Sequence, residues 1–208
     1  MSRALVTGAT RGAGRAVAAA LACAGYETCA LGRDRLVLEE LRSDFGVLPM
    51  AIDLTDREAV RVIVEGMKPD IVVHAALRWP TEKAFEKLQE ADIDMALEVN
   101  LSAMFHLTRL VLPAMKEQGL GALFVVSPHS GESPSILERS VAGANDAFVD
   151  ALQGELADAG ITAQSIICEK PPFHSLVASI LEHLETVGLA PLRSKADAHN
   201  HQGTRNVT

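Results

Sequence analysis

The chain has 208 residues, of which 48% are hydrophobic and 22% are charged, and its formal net charge at pH 7 is −8. A chain of this size and composition can bury a core as one folded domain, which excludes disordered and fibrous proteins. The excess of acidic residues argues against a nucleic-acid partner, because such a protein repels a phosphate backbone.

The sequence indicates neither membrane insertion nor secretion. No apolar run reaches the roughly 20 residues that a membrane-spanning helix needs. The first ten residues, MSRALVTGAT, contain no apolar signal-peptide segment. We therefore expect a soluble, cytoplasmic protein with no membrane partner.

Short apolar segments alternate with longer amphipathic ones along most of the chain. The apolar segments are continuous, as in strands that helices cover on both faces. They predict strands at 3–7, 28–32, 48–52, 70–74, 122–127 and 162–167. The segments between them predict helices near 12–25, 34–45, 55–67, 94–118 and 140–158, with one more amphipathic helix at 175–189. Thr55 followed by Glu58 predicts a capping box at the start of the third helix.

This alternation predicts right-handed βαβ units and therefore an α/β fold with a doubly wound, Rossmann-type parallel sheet. We expect a single domain over residues 1–190, with a shortened C-terminal part, and a polar, flexible tail over residues 191–208. The tail contains His199 and His201. Such a pair in a tail is usually incidental, and we predict no metal site.

A glycine-rich loop, TGATRGAG at 7–14, follows the first strand and opens the first helix. Gly8 allows a tight turn, Gly12 lets the backbone approach a diphosphate, and Gly14 lets helix and strand pack closely. The helix N-terminus then offers free N–H groups to an anion. The loop predicts a nucleotide site; the alternative is a turn whose glycines serve packing alone.

Two further positions bear on the nucleotide. Arg33 follows the second strand, where an acidic residue would bind a ribose 2′-hydroxyl and a guanidinium suits a 2′-phosphate. Arg11 in the loop could join it, so NADP is favoured over NAD unless Arg33 is only a solvated surface charge. The segment DLT at 53–55 follows the third strand, where an aspartate can contact an adenine amino group, and capping of the next helix explains the segment equally well.

These motifs resemble those of the short-chain dehydrogenase/reductase family. TGATRGAG matches the family's cofactor motif, DLT matches its adenine-side motif, and IDMALEVNLSAMFHLTRLVLPAM at 93–115 resembles its long fourth helix, with Asn100 at the family's asparagine position. GALFVVS resembles the strand that leads to the catalytic serine. The resemblance covers about residues 3–170 and implies a cofactor site, for NADP(H), formed by Thr7, Gly8, Thr10, Arg11, Gly12, Ala13, Gly14, Arg33, Asp53, Leu54, Ala75 and Ala76.

The sequence departs from the family at the catalytic residues. The family's tyrosine transfers the substrate proton, and a lysine four residues later lowers its pKa. The only tyrosine here is Tyr26, before the second strand, and no lysine occurs between Lys116 and Lys170. Depending on a two-residue gap, the tyrosine position is Ser140 or Glu138 and the lysine position is Ala144 or Ala142. The serine position is Pro128, Ser127 or Ser130.

The loss of both residues leaves few candidate catalytic groups. General acid–base help contributes roughly 10²- to 10⁴-fold, so carbonyl reduction needs a substitute acid. The candidate acids are His129, a residue type that titrates near neutral pH, Glu138 if burial raises its pKa, and Ser127, Ser130 and Ser140, which are poor acids alone. Asn100 is a further candidate catalytic residue, since the resemblance implies that it supports a water relay; the alternative is a structural residue that bends its helix. The alternative is that His129 only lines the loop.

Three functions remain open at this stage. The first is a divergent NADP-dependent oxidoreductase with a non-standard proton donor. The second is an inactive subunit that pairs with an active relative, or with itself, through the helices at 94–118 and 140–158. The third is a regulator that senses NADPH.

Overall fold

A computed structural model of the chain describes residues 2–128, 134–168 and 171–191. The strands are β1 (Arg3–Val6), β2 (Glu27–Gly32), β3 (Leu48–Ala51), β4 (Ile71–His74), β5 (Gly121–Pro128) and β6 (Ile161–Cys168). The helices are α1 (Gly12–Cys23), α2 (Arg35–Phe45), α3 (Arg57–Met67), α4 (Glu90–Leu97), α5 (Ala103–Gln118), α6 (Ile136–Leu156) and α7 (His174–Thr186). A short 3₁₀ turn at Phe85–Lys87 precedes α4.

The six strands form one parallel sheet in the order β3-β2-β1-β4-β5-β6. Helices cover both faces of the sheet. Apolar residues of α1, α2 and α7 pack on one face, and those of α3, α5 and α6 pack on the other. The predicted doubly wound α/β fold is confirmed. None of the helices in the described ranges is long and apolar enough to cross a membrane.

The order of the strands places a crevice at the carboxyl ends of β1 and β4. The chain runs outward from β1 to β2 and β3, and then returns to β4 on the other side of β1. The loops that leave β1 and β4 therefore diverge to opposite faces, which opens a space between them, and ligands of doubly wound sheets bind at this point.

The prediction of a capping box at Thr55 and Glu58 is wrong. The helix begins one residue later, and its N-cap is Asp56, whose side chain accepts a hydrogen bond from the N–H of Ala59. Thr55 instead donates through its N–H and its hydroxyl to Asp53. A capping box does occur, at Ser135 and Glu138, and it starts α6 four residues before the predicted boundary of 140.

The predicted helix at 94–118 is two α-helices joined by one π-helical turn at Glu98–Ser102. α4 runs into this turn and α5 leaves it, so the three segments form one rod with an extra residue in its middle. Side chains of α3 brace the turn, because Arg57 donates hydrogen bonds to both Glu98 and Ser102. The turn is therefore fixed in place.

β6 forms the outer edge of the described sheet, since β5 is its only strand partner. A groove runs along this edge between α6 and α7, and its walls include Asp146 and Asp150 on one side and Leu176 and Ser179 on the other. Ser165 on β6 donates to Asp146 across the floor of the groove, at 2.7 Å.

Candidate functional site: a cleft at the carboxyl ends of the strands

The loop between β1 and α1 is shaped by close backbone packing. Gly8 has a φ of +67°, and a Cβ at this position would lie 2.6 Å from the Cα of Ala76. A Cβ on Gly14 would collide with the carbonyl oxygen of Gly8. The hydroxyl of Thr7 accepts hydrogen bonds from the N–H groups of Ala75 and Ala76, at 3.1 and 3.2 Å. The loop thus lies directly against the end of β4.

The start of α1 is left open for a ligand. The N-cap residue, Arg11, makes no side-chain cap, so the first N–H groups of the helix lack an internal partner there. Gly12 has a φ of +55°, and a Cβ on it would meet nothing within 4 Å. An unobstructed backbone at a helix N-terminus fits an anionic diphosphate.

A cleft of about 380 Å³ lies over this loop. Eleven of the twelve predicted cofactor residues line it, and the twelfth, Gly14, packs beneath the loop. Trp79, which the sequence places just past the fourth strand, lines the cleft too. Sequence reasoning missed Arg78, which follows β4, and Cys168 and Phe173, which lie at the end of β6 and beyond it. Their positions just past parallel strands were a usable signal, because such positions meet at one edge of the sheet.

The charged side chains of the cleft are mostly basic. Among the described lining residues, Arg11, Arg33 and Arg78 are positive and Asp53 is negative, which gives +2 in a chain of −8. Arg33 lies 3.9 Å from the Asp53 carboxylate, and both are exposed. The pKa of Asp53 is lowered mainly by the Thr55 backbone hydrogen bond, then by the Thr55 hydroxyl and the charges of Arg33 and Arg78, although partial burial opposes them.

Asn100 is buried behind the cleft, with 3% of its surface exposed. Its side-chain amide donates to the carbonyl of Arg78 at 2.9 Å, and its carbonyl accepts from the N–H of Arg78 at 2.8 Å. Its position in the π-helical turn aims it at the loop that follows β4. The structure therefore gives Asn100 a role in holding this loop.

Ser127 does not line the cleft. Its hydroxyl faces β6 and α6, where it lies 3.1 Å from the hydroxyl of Ser165, which donates onward to Asp146. Alternate residues of β5 face opposite sides of the sheet, and Val126 is the one that lines the cleft. His129 and Ser130 lie outside the described residues.

The two candidate tyrosine positions on α6 are occupied by groups with local roles. The Glu138 carboxylate accepts from the N–H of Ser135 at 2.7 Å within the capping box. The Ser140 hydroxyl donates to the carbonyl of Ile136 at 2.9 Å. Ala142 and Ala144, the candidate lysine positions, lie on the same helix and carry no titratable group.

Tyr26 lies at the opposite end of the molecule from the cleft. It is buried in the core before β2, whereas the cleft begins at the carboxyl end of that strand. Six strand residues at about 3.3 Å each separate the two by about 20 Å. Burial, and then the charge of Glu185, raise the pKa of Tyr26.

His74 ends β4 beneath the cleft. Its Nε2 lies 3.0 Å from the hydroxyl of Thr108, and burial lowers the pKa of the ring to about 3. The ring is therefore neutral at physiological pH. Its Nδ1 and the Oδ1 of Asn145 have no hydrogen-bond partner among the described residues, and both side chains line one small cavity.

Comparison with known proteins identifies the family. The family model for short chain dehydrogenases matches residues 2–170. The chain belongs to the short-chain dehydrogenase family. An uncharacterised short-chain type dehydrogenase/reductase of Sinorhizobium fredii is 39% identical over 153 residues, which cover 74% of this chain and 61% of that relative.

Solved structures of short-chain dehydrogenases share the fold. A metagenomic short-chain oxidoreductase in complex with NADP has a TM-score of 0.75 at 22% identity, covering 86% of this chain and 89% of that one. Serine dehydrogenase complexed with NADP⁺ has a TM-score of 0.74 at 23% identity, covering 79% and 71%. The curated short-chain dehydrogenase relatives are matched over only 54 to 61% of their own length.

Proposed function

We propose that this short-chain dehydrogenase binds NADP(H) in the cleft and acts as an oxidoreductase whose proton donor is not the family's tyrosine–lysine pair. The observation that carries the proposal is the cleft itself: a glycine loop with open N–H groups, under a lining charge of +2 in a chain of −8. An anionic dinucleotide with an extra phosphate fits such a lining. We retain the cytoplasm as the proposed location.

The chain's own residues would divide the binding. The N–H groups at the start of α1 would hold the diphosphate, and Arg33, exposed beside the cleft, would take the 2′-phosphate. The bound nicotinamide supplies hydride transfer, for which the protein mainly provides position and exclusion of water. Two neighbours in fold, a serine dehydrogenase complexed with NADP⁺ and a metagenomic short-chain oxidoreductase in complex with NADP, support this choice of cofactor.

The test is a titration of the purified chain with NADPH and with NADH. Trp79 lines the cleft and is the only tryptophan, so its fluorescence reports on the site directly. We expect micromolar binding of NADPH and at least about tenfold weaker binding of NADH, because NADH leaves Arg33 without the 2′-phosphate. Absence of NADPH binding would contradict the proposal.

A matched pair of variants locates the site. Gly12 and Gly46 both have positive φ, and a Cβ on either would meet no atom within 4 Å. Asparagine tolerates this backbone conformation better than most residues, so both Gly12→Asn and Gly46→Asn should fold. Only Gly12 lines the cleft. Gly12→Asn should weaken NADPH binding at least about tenfold, since its side chain occupies the ligand's space, and Gly46→Asn should not.

A second candidate, the inactive subunit, is favoured by one observation. Apolar side chains of α4 and α5 are exposed next to α6, among them Met95, Leu97 and Phe105. An exposed apolar patch on a helical face is typical of a protein interface. The same NADPH-loaded chain, assayed with a panel of ketones and aldehydes, separates the two: NADPH consumption supports the oxidoreductase, and binding without consumption by any of them supports the subunit or the sensor.

A further inference from the structure

The loop that follows β4 contains an arginine that lines the cleft and whose backbone is held by two hydrogen bonds. Between β4 and the 3₁₀ turn at 85–87 the chain has no regular secondary structure, yet Arg78 in this segment lines the cleft. Asn100 binds both the N–H and the carbonyl of Arg78, at 2.8 and 2.9 Å. Two bonds to one residue's backbone fix the direction in which its side chain leaves the chain.

The clamp itself is rigid. Asn100 is buried and lies within the π-helical turn at Glu98–Ser102, and Arg57 of α3 donates to both ends of that turn. A buried amide whose donor and acceptor both have partners would lose both hydrogen bonds if it reoriented, so it keeps its orientation. The backbone of Arg78 is therefore held in place before any ligand arrives.

Arg78 shares its corner of the cleft with Arg33 and Asp53. These residues follow β4, β2 and β3 at the same edge of the sheet. The Asp53 carboxylate lies 3.9 Å from Arg33. The charge of Arg78 also lowers the pKa of Asp53, although the hydrogen bonds from Thr55 lower it more. The Asp53 carboxylate is thus within electrostatic range of two guanidinium groups, and its single negative charge cannot balance both.

We propose that Arg78 is a second phosphate-binding arginine, which acts with Arg33 on the adenosine-side phosphate, and that Asn100 is the residue that positions it. This inference rests on the proposed function. A guanidinium forms paired hydrogen bonds to phosphate oxygens when its plane is correctly presented, and the clamp fixes the backbone from which the Arg78 side chain enters the cleft. Asp53 offsets part of the positive charge of the two arginines in the free protein and competes with the phosphate for them.

The experiment measures dissociation constants for NADPH, NADH and adenosine 2′,5′-bisphosphate. Arg78→Ala should weaken NADPH and the bisphosphate at least about tenfold and NADH less than about threefold, while Arg78→Lys should fall between Arg78→Ala and the wild type. Arg61→Ala is the matched control, because Arg61 lies on α3, pairs with Glu58 and does not line the cleft. Circular dichroism confirms that each variant is folded.

Two further variants test the clamp and the carboxylate. Asn100→Ala should weaken NADPH in the same direction as Arg78→Ala, and the double variant should be no weaker than Arg78→Ala alone, because both changes remove one interaction. Asp53→Asn keeps an oxygen for the Thr55 bonds but loses the competing charge. Relative to NADH, it should therefore tighten NADPH several-fold, because only NADPH carries the phosphate with which the Asp53 charge competes.

The outcomes separate the two proposals. If the wild type does not bind NADPH, the proposed function fails and this inference fails with it. If the wild type binds NADPH and Arg78→Ala binds it equally well, only this inference is overturned. An equal loss for NADPH and NADH would place Arg78 at the diphosphate and overturn its assignment to the adenosine-side phosphate. Additive losses from Asn100→Ala and Arg78→Ala would overturn the positioning role of Asn100.

Discussion

His74 shows how packing decides the charge of a single residue. A histidine at the end of a strand beside an open cleft could carry a charge at pH 6, yet burial under α5 lowers the pKa of His74 to about 3. Its imidazole is a neutral hydrogen-bonding group that joins β4 to Thr108. It cannot serve as the missing acid at neutral pH, since almost none of it is protonated.

The buried His74 predicts a loss of stability in acid. The unfolded chain takes up a proton on this residue near pH 6.5, whereas the folded chain does so only near pH 3. The free energy of unfolding should therefore fall by up to about 1.4 kcal/mol per pH unit as the pH drops below 6.5. His183, whose pKa burial also lowers, adds its own contribution.

Urea denaturation at several pH values between 4.5 and 7.5 checks this. His74→Phe should make the stability less dependent on pH, even though it lowers stability at pH 7.5 by leaving Thr108 without its partner. His106→Gln, a change at an exposed position, is the control and should keep the wild-type dependence. An unchanged dependence in His74→Phe would show that His74 does not titrate as described.

At the scale of elements, the rod formed by α4, the π-helical turn and α5 presents an apolar face to solvent beside α6. Phe105 of α5 stacks on Phe148 of α6 with ring centroids 4.6 Å apart, yet 43% of Phe105 stays exposed. The sequence predicted these two helices as an association surface, and that remains a prediction.

Substitution of Phe105 tests the association. If a second copy or a related subunit packs on this face, Phe105→Glu should weaken the association at least about tenfold, because a buried charge without a partner is costly. Phe45→Glu alters an equally exposed phenylalanine at the end of α2 and serves as the control. Sedimentation over a range of concentrations gives the result; a wild type that stays monomeric at 100 µM contradicts the prediction for self-association.

The sequence predicted the elements well where the signal is local. Continuous apolar segments and the glycine loop depend on residues that are neighbours in the chain, so the six strands of the described sheet and the position of the glycine loop between β1 and α1 were predicted. The capping box at Thr55 failed because Asp56 competes for the same helix end, and that competition depends on a one-residue difference in the backbone. Ser127 was misjudged because the pleat of β5 turns its side chain away from the cleft. Arg78 was missed because its direction depends on the clamp by Asn100, which is distant in the sequence.

For the whole molecule, the distribution of charge matters more than its sum. The chain has 27 acidic and 19 basic residues, but its cleft carries three arginines and one aspartate among the described residues. An anionic ligand therefore meets a repulsive protein at long range and an attractive cleft at short range. The composition gives only the net charge of the chain, so it could not predict that the charge of the cleft has the opposite sign.

Salt affects the attraction of an anionic ligand by the cleft and its repulsion by the net charge in opposite directions. If the cleft governs binding, the dissociation constant for NADPH should rise several-fold between about 20 and 300 mM NaCl, over which the screening length shortens from roughly 20 Å to below 8 Å. If the net charge governed it, salt would screen the repulsion and tighten binding. Titration of Trp79 fluorescence at four salt concentrations distinguishes the two, and NADH should show the smaller dependence.

The outer edge of β6 differs from the opposite edge of the sheet in how well it can accept an added strand. The opposite edge, β3, has four residues and includes Pro49, which has no N–H to offer. β6 has eight residues with no proline, and α6 and α7 form walls on either side of it. Backbone groups alone can recruit an added strand at such an edge. Among the described residues, β6 is therefore the edge better suited to an added strand, and a peptide bound there would lie between α6 and α7.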